Sequence, residues 1–75
     1  MDTFNITFPY KEKDISIQVR KFWKDDTAFY YFAHNGAGYN LYAELDDNAN
    51  LKWRNEYGDD EFTEAAGAAI EDYLM

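Results

Sequence analysis

Seventy-five residues with no cysteine leave room for one small domain and exclude both a disulfide framework and a thiolate metal site. Fifteen acids against seven bases give a net charge of −8, which argues against binding to nucleic-acid phosphates or to an anionic membrane, and whose bland meaning is solubility. The apolar core must hold the fold unaided, and six Phe, seven Tyr and two Trp supply the large side chains that fill a thin domain.

The opening Met1-Asp2-Thr3 shows neither a basic n-region nor an apolar h-region, and no apolar run approaches the length of a membrane span. Cytoplasmic is the expected location. From Thr3 to Tyr10 the residues alternate, with Phe4, Ile6, Phe8 and Tyr10 on one face. That period predicts a half-buried strand. Pro9 cannot donate to a ladder and suits an edge strand. Lys11-Glu12 centres a turn into a second strand, Ile15 to Trp23. This register sets Phe8 opposite Ile15, Ile6 opposite Ile17 and Phe4 opposite Val19, so the apolar faces coincide. Lys24 to Thr27 turns into a third strand, Ala28 to His34. Asn35-Gly36 is a strong hairpin signal and leads into a fourth, Tyr39 to Leu45. A polar loop, Asp46 to Asn50, precedes a fifth strand, Leu51 to Glu56.

The last element is the one convincing helix, Asp60 to Met75. Phe62, Ala65, Ala66, Ala69, Ile70 and Tyr73 recur at helical spacing on one face, with Glu64 and Glu71 opposite. Asp59 or Asp60 can cap it, and Glu61 and Glu64 suit its positive end. Gly67 costs about 1 kcal/mol against Ala inside a helix, which is expected to mark a close approach to a strand, the alternative being a kink. The run Ala66-Gly67-Ala68-Ala69-Ile70-Glu71 resembles the closing G-x-A-I-E helix of small β-meander proteins of no assigned function. The resemblance implies the same fold and carries no functional residue. The predicted architecture is α+β: a two-layer sandwich, one domain over 1–75, in which a five-stranded antiparallel meander carries one C-terminal helix on one face.

The third strand is apolar on both sides, so turn chemistry must orient it. An Asn35-Gly36 turn pairs Phe32 with Tyr39 and Tyr30 with Leu41. An Asp25-Asp26 turn sets Val19 opposite Phe32 and Ile17 opposite His34. Both place Tyr30, Phe32 and His34 toward the helix; a three-residue Gly36-Ala37-Gly38 loop would reverse them. The outer face then carries Phe22, Phe29, Tyr31 and Tyr42 with Arg20 and Arg54. A sheet with one covered face needs only one apolar side, and aromatics with Arg are enriched where protein interfaces bury their centres. These six residues are the candidate site for a protein partner or a homodimer. The same rings can instead serve the sheet as a cross-strand ladder, and a small-ligand site is a third use.

Chemistry is sparse. His34 is the sole histidine and Ser16 the sole serine, so the usual nucleophile and base cannot be assembled, and no enzyme is expected. Asp46-x-Asn48-x-Asn50 opens like a calcium loop, but Leu51 and Tyr57 stand where the glycine and the final carboxylate belong. Asp25-Asp26 and Asp46-Asp47 share one end of the sheet and could hold a cation weakly, though solvated turns explain them. No metal or cofactor is expected. Asp59, Asp60, Glu61 and Glu64 form a dense acidic run. The alternative function is therefore an acidic inhibitor or nucleic-acid mimic. Stacking of single-stranded RNA on the rings meets the wrong charge.

Overall fold

The computed structural model describes residues 2–74; Met1 and Met75, the expected helix end, lie outside the described residues. The elements are β1 (Asp2–Tyr10), β2 (Lys13–Lys24), β3 (Thr27–His34), β4 (Ala37–Leu45), β5 (Leu51–Asn55) and α1 (Glu61–Leu74). The strands form one antiparallel sheet in sequential order, and α1 packs on one face against β1, β4 and β5. No helix among the described residues is long and apolar enough to cross a membrane.

Turn chemistry sets the register. Lys11 and Glu12 have φ of 48° and 65°, Asp25 and Asp26 51° and 65°, Asn35 and Gly36 51° and 77°. Two consecutive positive φ values match two-residue type I′ turns, whose twist suits the flanking strands. Phe4, Ile6 and Phe8 accordingly face Val19, Ile17 and Ile15, while Tyr30 and Phe32 face Leu41 and Tyr39. The strands also reach closer to their turns than the alternation predicts, with β2 starting at Lys13 and β4 at Ala37. Tyr30 and Phe32 lie in the core, and His34 stacks on Phe62 with ring centroids 4.1 Å apart. All three turn to the helix side.

The β2–β3 ladder is shorter than the β1–β2 ladder beside it. It runs from Lys24–Thr27 to Arg20–Tyr31 and stops. The expected opposition of Val19 to Phe32 and of Ile17 to His34 continues that register but lies beyond the last paired residues. A depression lined by Ser16, Ile17, Gln18, Tyr31, Phe32 and Ala33 opens there.

Val19, Leu41, Ala66 and Ile70 are fully buried between the layers. Phe62 packs against Phe8, Tyr10, Phe32 and Tyr39, so one helical ring ties the helix start to three strands. Gly67 is the close approach. A Cβ there would overlap Trp53 Cβ and Cγ and lie 2.8 Å from Cδ1. Asp60 is the cap, one residue before the helix begins. The Thr63 amide donates to its Oδ1 at 2.9 Å, and the Asp60 amide donates back to Thr63 Oγ1 at 3.1 Å. That reciprocal pairing is a capping box with Thr in place of Glu, and it explains the burial of Thr63.

Candidate functional site

The outer sheet face assembles as its register requires. Phe22 lies opposite Phe29 and stacks on it with centroids 5.6 Å apart. Phe29 meets Tyr42 edge-on at 5.5 Å, and Tyr42 lies opposite Arg54. The band thus crosses β2, β3, β4 and β5. Phe29 at its centre is only 8% exposed, although no element among the described residues covers this face. Its burial comes from the half-buried Phe22 and Tyr42 beside it. Tyr31 is 39% exposed, and Arg20 is exposed with no ion pair among the described residues.

Arg54 is already engaged. Its Nε donates to Asp59 at 2.6 Å and its Nη1 to Glu44 at 2.9 Å. These bonds raise its pKa, that to Asp59 most, and place a charged guanidinium, paired with two carboxylates, at the end of the aromatic band. Beneath it, the Asn40 amide donates to Asn55 Oδ1 at 3.0 Å and Asn40 Nδ2 to Glu56 at 3.2 Å. Asn40 and Asn55 are both buried, a polar tie between β4 and β5 that alternation alone does not reveal.

Most of the acidic run is likewise committed. Asp59 accepts from the Asn55 amide at 2.7 Å as well as from Arg54. The amide, aided by the guanidinium, holds its carboxyl below the ordinary range against partial desolvation. Asp60 holds the cap and accepts from Tyr39 Oη at 3.0 Å. Burial opposes its charge, but donation from Thr63, Tyr39 and the Phe62 amide outweighs burial, and the carboxyl again lies below its usual value. Burial pushes the Tyr39 phenol up, and its bond to Asp60 adds to that. Glu61 meets Lys11 at 3.1 Å and accepts from Tyr10 at 3.5 Å. Glu64 alone of the four has no partner among the described residues. In the β4–β5 loop, Asp46 Oδ1 accepts from the amides of Asn48 and Asn50, each at 2.9 Å. That carboxylate closes its own turn.

A further surface lies on the helix side, at the end where α1 finishes. Trp23 is 67% exposed, Leu45 66%, Leu51 52% and Leu74 47%. Trp23 lies opposite Ala28, and Leu45 opposite Leu51. A depression of about 440 Å³ opens among Ala28, Tyr30, Ala43, Leu51, Trp53 and Leu74. The cause is length. At the rise of a strand the twelve residues of β2 suffice to run the 32 Å length of the domain, whereas the fourteen of α1 extend about 21 Å. The helix is too short to roof the whole sheet, and the apolar residues that alternate onto its side remain open at this end. Alternation places Trp23, Leu45 and Leu51 on the core side; comparing element lengths is the signal that would have found them exposed.

No protein-family model, no curated protein and no solved structure matches this chain.

Proposed function

We propose that the chain is a small, non-enzymatic, cytoplasmic module that binds a protein partner, or a second copy of itself, through the outer sheet face formed by Arg20, Phe22, Phe29, Tyr31, Tyr42 and Arg54. One observation carries the reading: three rings in successive contact, with Arg54 at their end, cross four strands on a face that no described element covers. The core on the opposite face is complete without them. A desolvated central ring flanked by partly exposed ones matches the centre of a protein interface. The acidic-inhibitor alternative is weaker, because Asp59, Asp60 and Glu61 already serve partners within the domain.

Sedimentation equilibrium over about a hundredfold concentration range tests self-association, which mass action makes concentration-dependent. A wild-type dimer that Tyr42→Ala or Tyr31→Asp converts to monomer is the result expected of a second copy. With a monomer, affinity capture by the same proteins is expected to retain a partner on the wild type that both variants lose. Binding that survives both substitutions but disappears in Glu61→Gln/Glu64→Gln would overturn the proposal in favour of the acidic surface. Each variant must keep a cooperative melt.

A further inference from the structure

We infer that the apolar notch at the end of α1 is a second docking surface, and that its occupant is a basic amphipathic peptide segment. The surface is separate from the outer face, since the sheet lies between them. Half-exposed Leu51 and Leu74 line it above a floor of Tyr30 and Trp53, and the more exposed Trp23 and Leu45 lie opposite its lining residues Ala28 and Leu51. Single exposed apolar residues need no explanation, but two large ones lining one depression and two more paired with its lining residues gather apolar surface of the kind that marks an interaction site.

Charge complementarity selects the occupant. The notch is lined by Asp26 and Glu71, and by no Lys or Arg. A second depression shares Leu51, Trp53 and Glu71 with it and adds Asp46, Glu64 and Asp72 against one base, Lys52. Across the two, five acids face one base. Lys21, outside both linings, is a second base, with its ammonium over the Trp23 and Tyr30 rings at 5.3 and 5.8 Å. The helix sharpens the asymmetry. Its last turn contains no basic residue, although cations are the charges favoured at a helix C-terminal end. Lys or Arg from a partner would complement both Glu71 and Asp72 and that end of the dipole. An amphipathic helix presents such cations beside an apolar stripe, which is how helices dock into apolar grooves. A second copy of this chain is the poorer fit, because each copy carries a charge of −8. An anionic membrane is repelled by the same acids.

Glu71 also positions the floor. Its Oε1 accepts from Trp53 Nε1 at 3.1 Å, so the indole keeps one orientation beneath the notch.

The test uses the full chain and a synthetic Leu/Lys amphipathic peptide of about five helical turns, with a Leu/Glu peptide of the same pattern as control. Binding is read from the tryptophan emission and from the indole N–H resonances of Trp23 and Trp53. The Lys peptide is expected to saturate, to shift both indoles, and to weaken as salt rises. Leu51→Ser and Trp23→Ser, both at exposed positions, are each expected to weaken it by at least about tenfold. Asp72→Asn with Glu64→Gln is expected to weaken it and flatten the salt dependence. Tyr42→Ala, on the outer face, is expected to leave it unchanged. No saturable binding, equal binding of the Glu peptide, or equal binding by Leu51→Ser and Trp23→Ser would overturn the inference. So would a wild-type dimer that Leu51→Ser dissolves without peptide, since the notch would then belong to a second copy.

Discussion

Gly67→Ala sets helix propensity against packing. In an exposed helix the substitution gains about 1 kcal/mol, because Ala loses less backbone entropy and shields its turn. Here the new methyl would overlap Trp53 Cβ and Cγ. Trp53 cannot retreat freely. It is 8% exposed, meets Tyr30 edge-on at 5.6 Å and donates to Glu71. Either the indole gives up those contacts or α1 lifts from β5 and takes Ala66 and Ile70 with it. Overpacking of this kind costs about 1–3 kcal/mol, and a lost hydrogen bond adds about 1 kcal/mol. The net expectation is a destabilisation of roughly 1–3 kcal/mol. For a domain of this size each kcal/mol moves Tm by about 4–8 °C. Thermal melts of Gly67→Ala beside Ala68→Gly provide the comparison. Ala68 is exposed in the same helix, so its change to Gly isolates propensity and is expected to lower Tm by the smaller amount. A Gly67→Ala protein as stable as the wild type, or more stable, with unaltered tryptophan emission would refute the close packing of α1 on β5.

Two other outcomes follow from the turns and the carboxylates. Glu12→Gly is expected to stabilise the fold by about 0.5–1 kcal/mol in urea melts, because it relieves a side chain held at φ 65°; a loss of stability would mean that the Lys11-Glu12 turn is not type I′. Asp59 and Asp60 both have carboxyls below their unfolded values, so as pH falls the unfolded chain takes up protons first. The stability they contribute is therefore complete above the unfolded value of about 3.9 and is lost as pH falls through the lower folded values. Urea melts of the wild type and Asp60→Asn at stepped acidic pH are expected to converge below that range, and an unchanged gap would contradict the charged cap.

The meander was legible because its signals agree. Period-two alternation fixed the strands, and three two-residue turns fixed their register, down to the facing of the doubly apolar Phe29–Phe32 segment. The helix stripe and the purpose of Gly67 were legible for the same reason: a costly residue on the buried flank needs a neighbour, and β5 supplies it. The polar bonds were not legible. Arg54 was readable as an outer-face residue, but its capture by Asp59 depends on how Tyr57-Gly58 folds back, with Gly58 at φ 120°. No periodicity encodes that bend. Thr63 reads as a polar residue in an apolar stripe until its hydroxyl is seen to accept the Asp60 amide.

What alternation leaves out is extent. It assigns each residue to a face but does not say whether anything lies over that face at a given height. On the outer side Phe29 is assigned to solvent and is nevertheless buried, because Phe22 and Tyr42 close over it. On the inner side Trp23, Leu45 and Leu51 are assigned to the core and are nevertheless exposed, because α1 ends before it covers them. Both departures follow from geometry rather than propensity. Aromatic side chains reach the neighbouring strand, about 5 Å away, and can roof one another. A helix advances 1.5 Å per residue where a strand advances about 3.3 Å, so a helix of similar residue count cannot match the sheet it crosses. The two surfaces proposed for binding are the places where those two rules act. One is a self-roofed aromatic band, the other an unroofed apolar end with an acidic margin. Their different chemistry, rings with Arg against apolar groups with carboxylates, means that one partner cannot satisfy both through the same kind of contact.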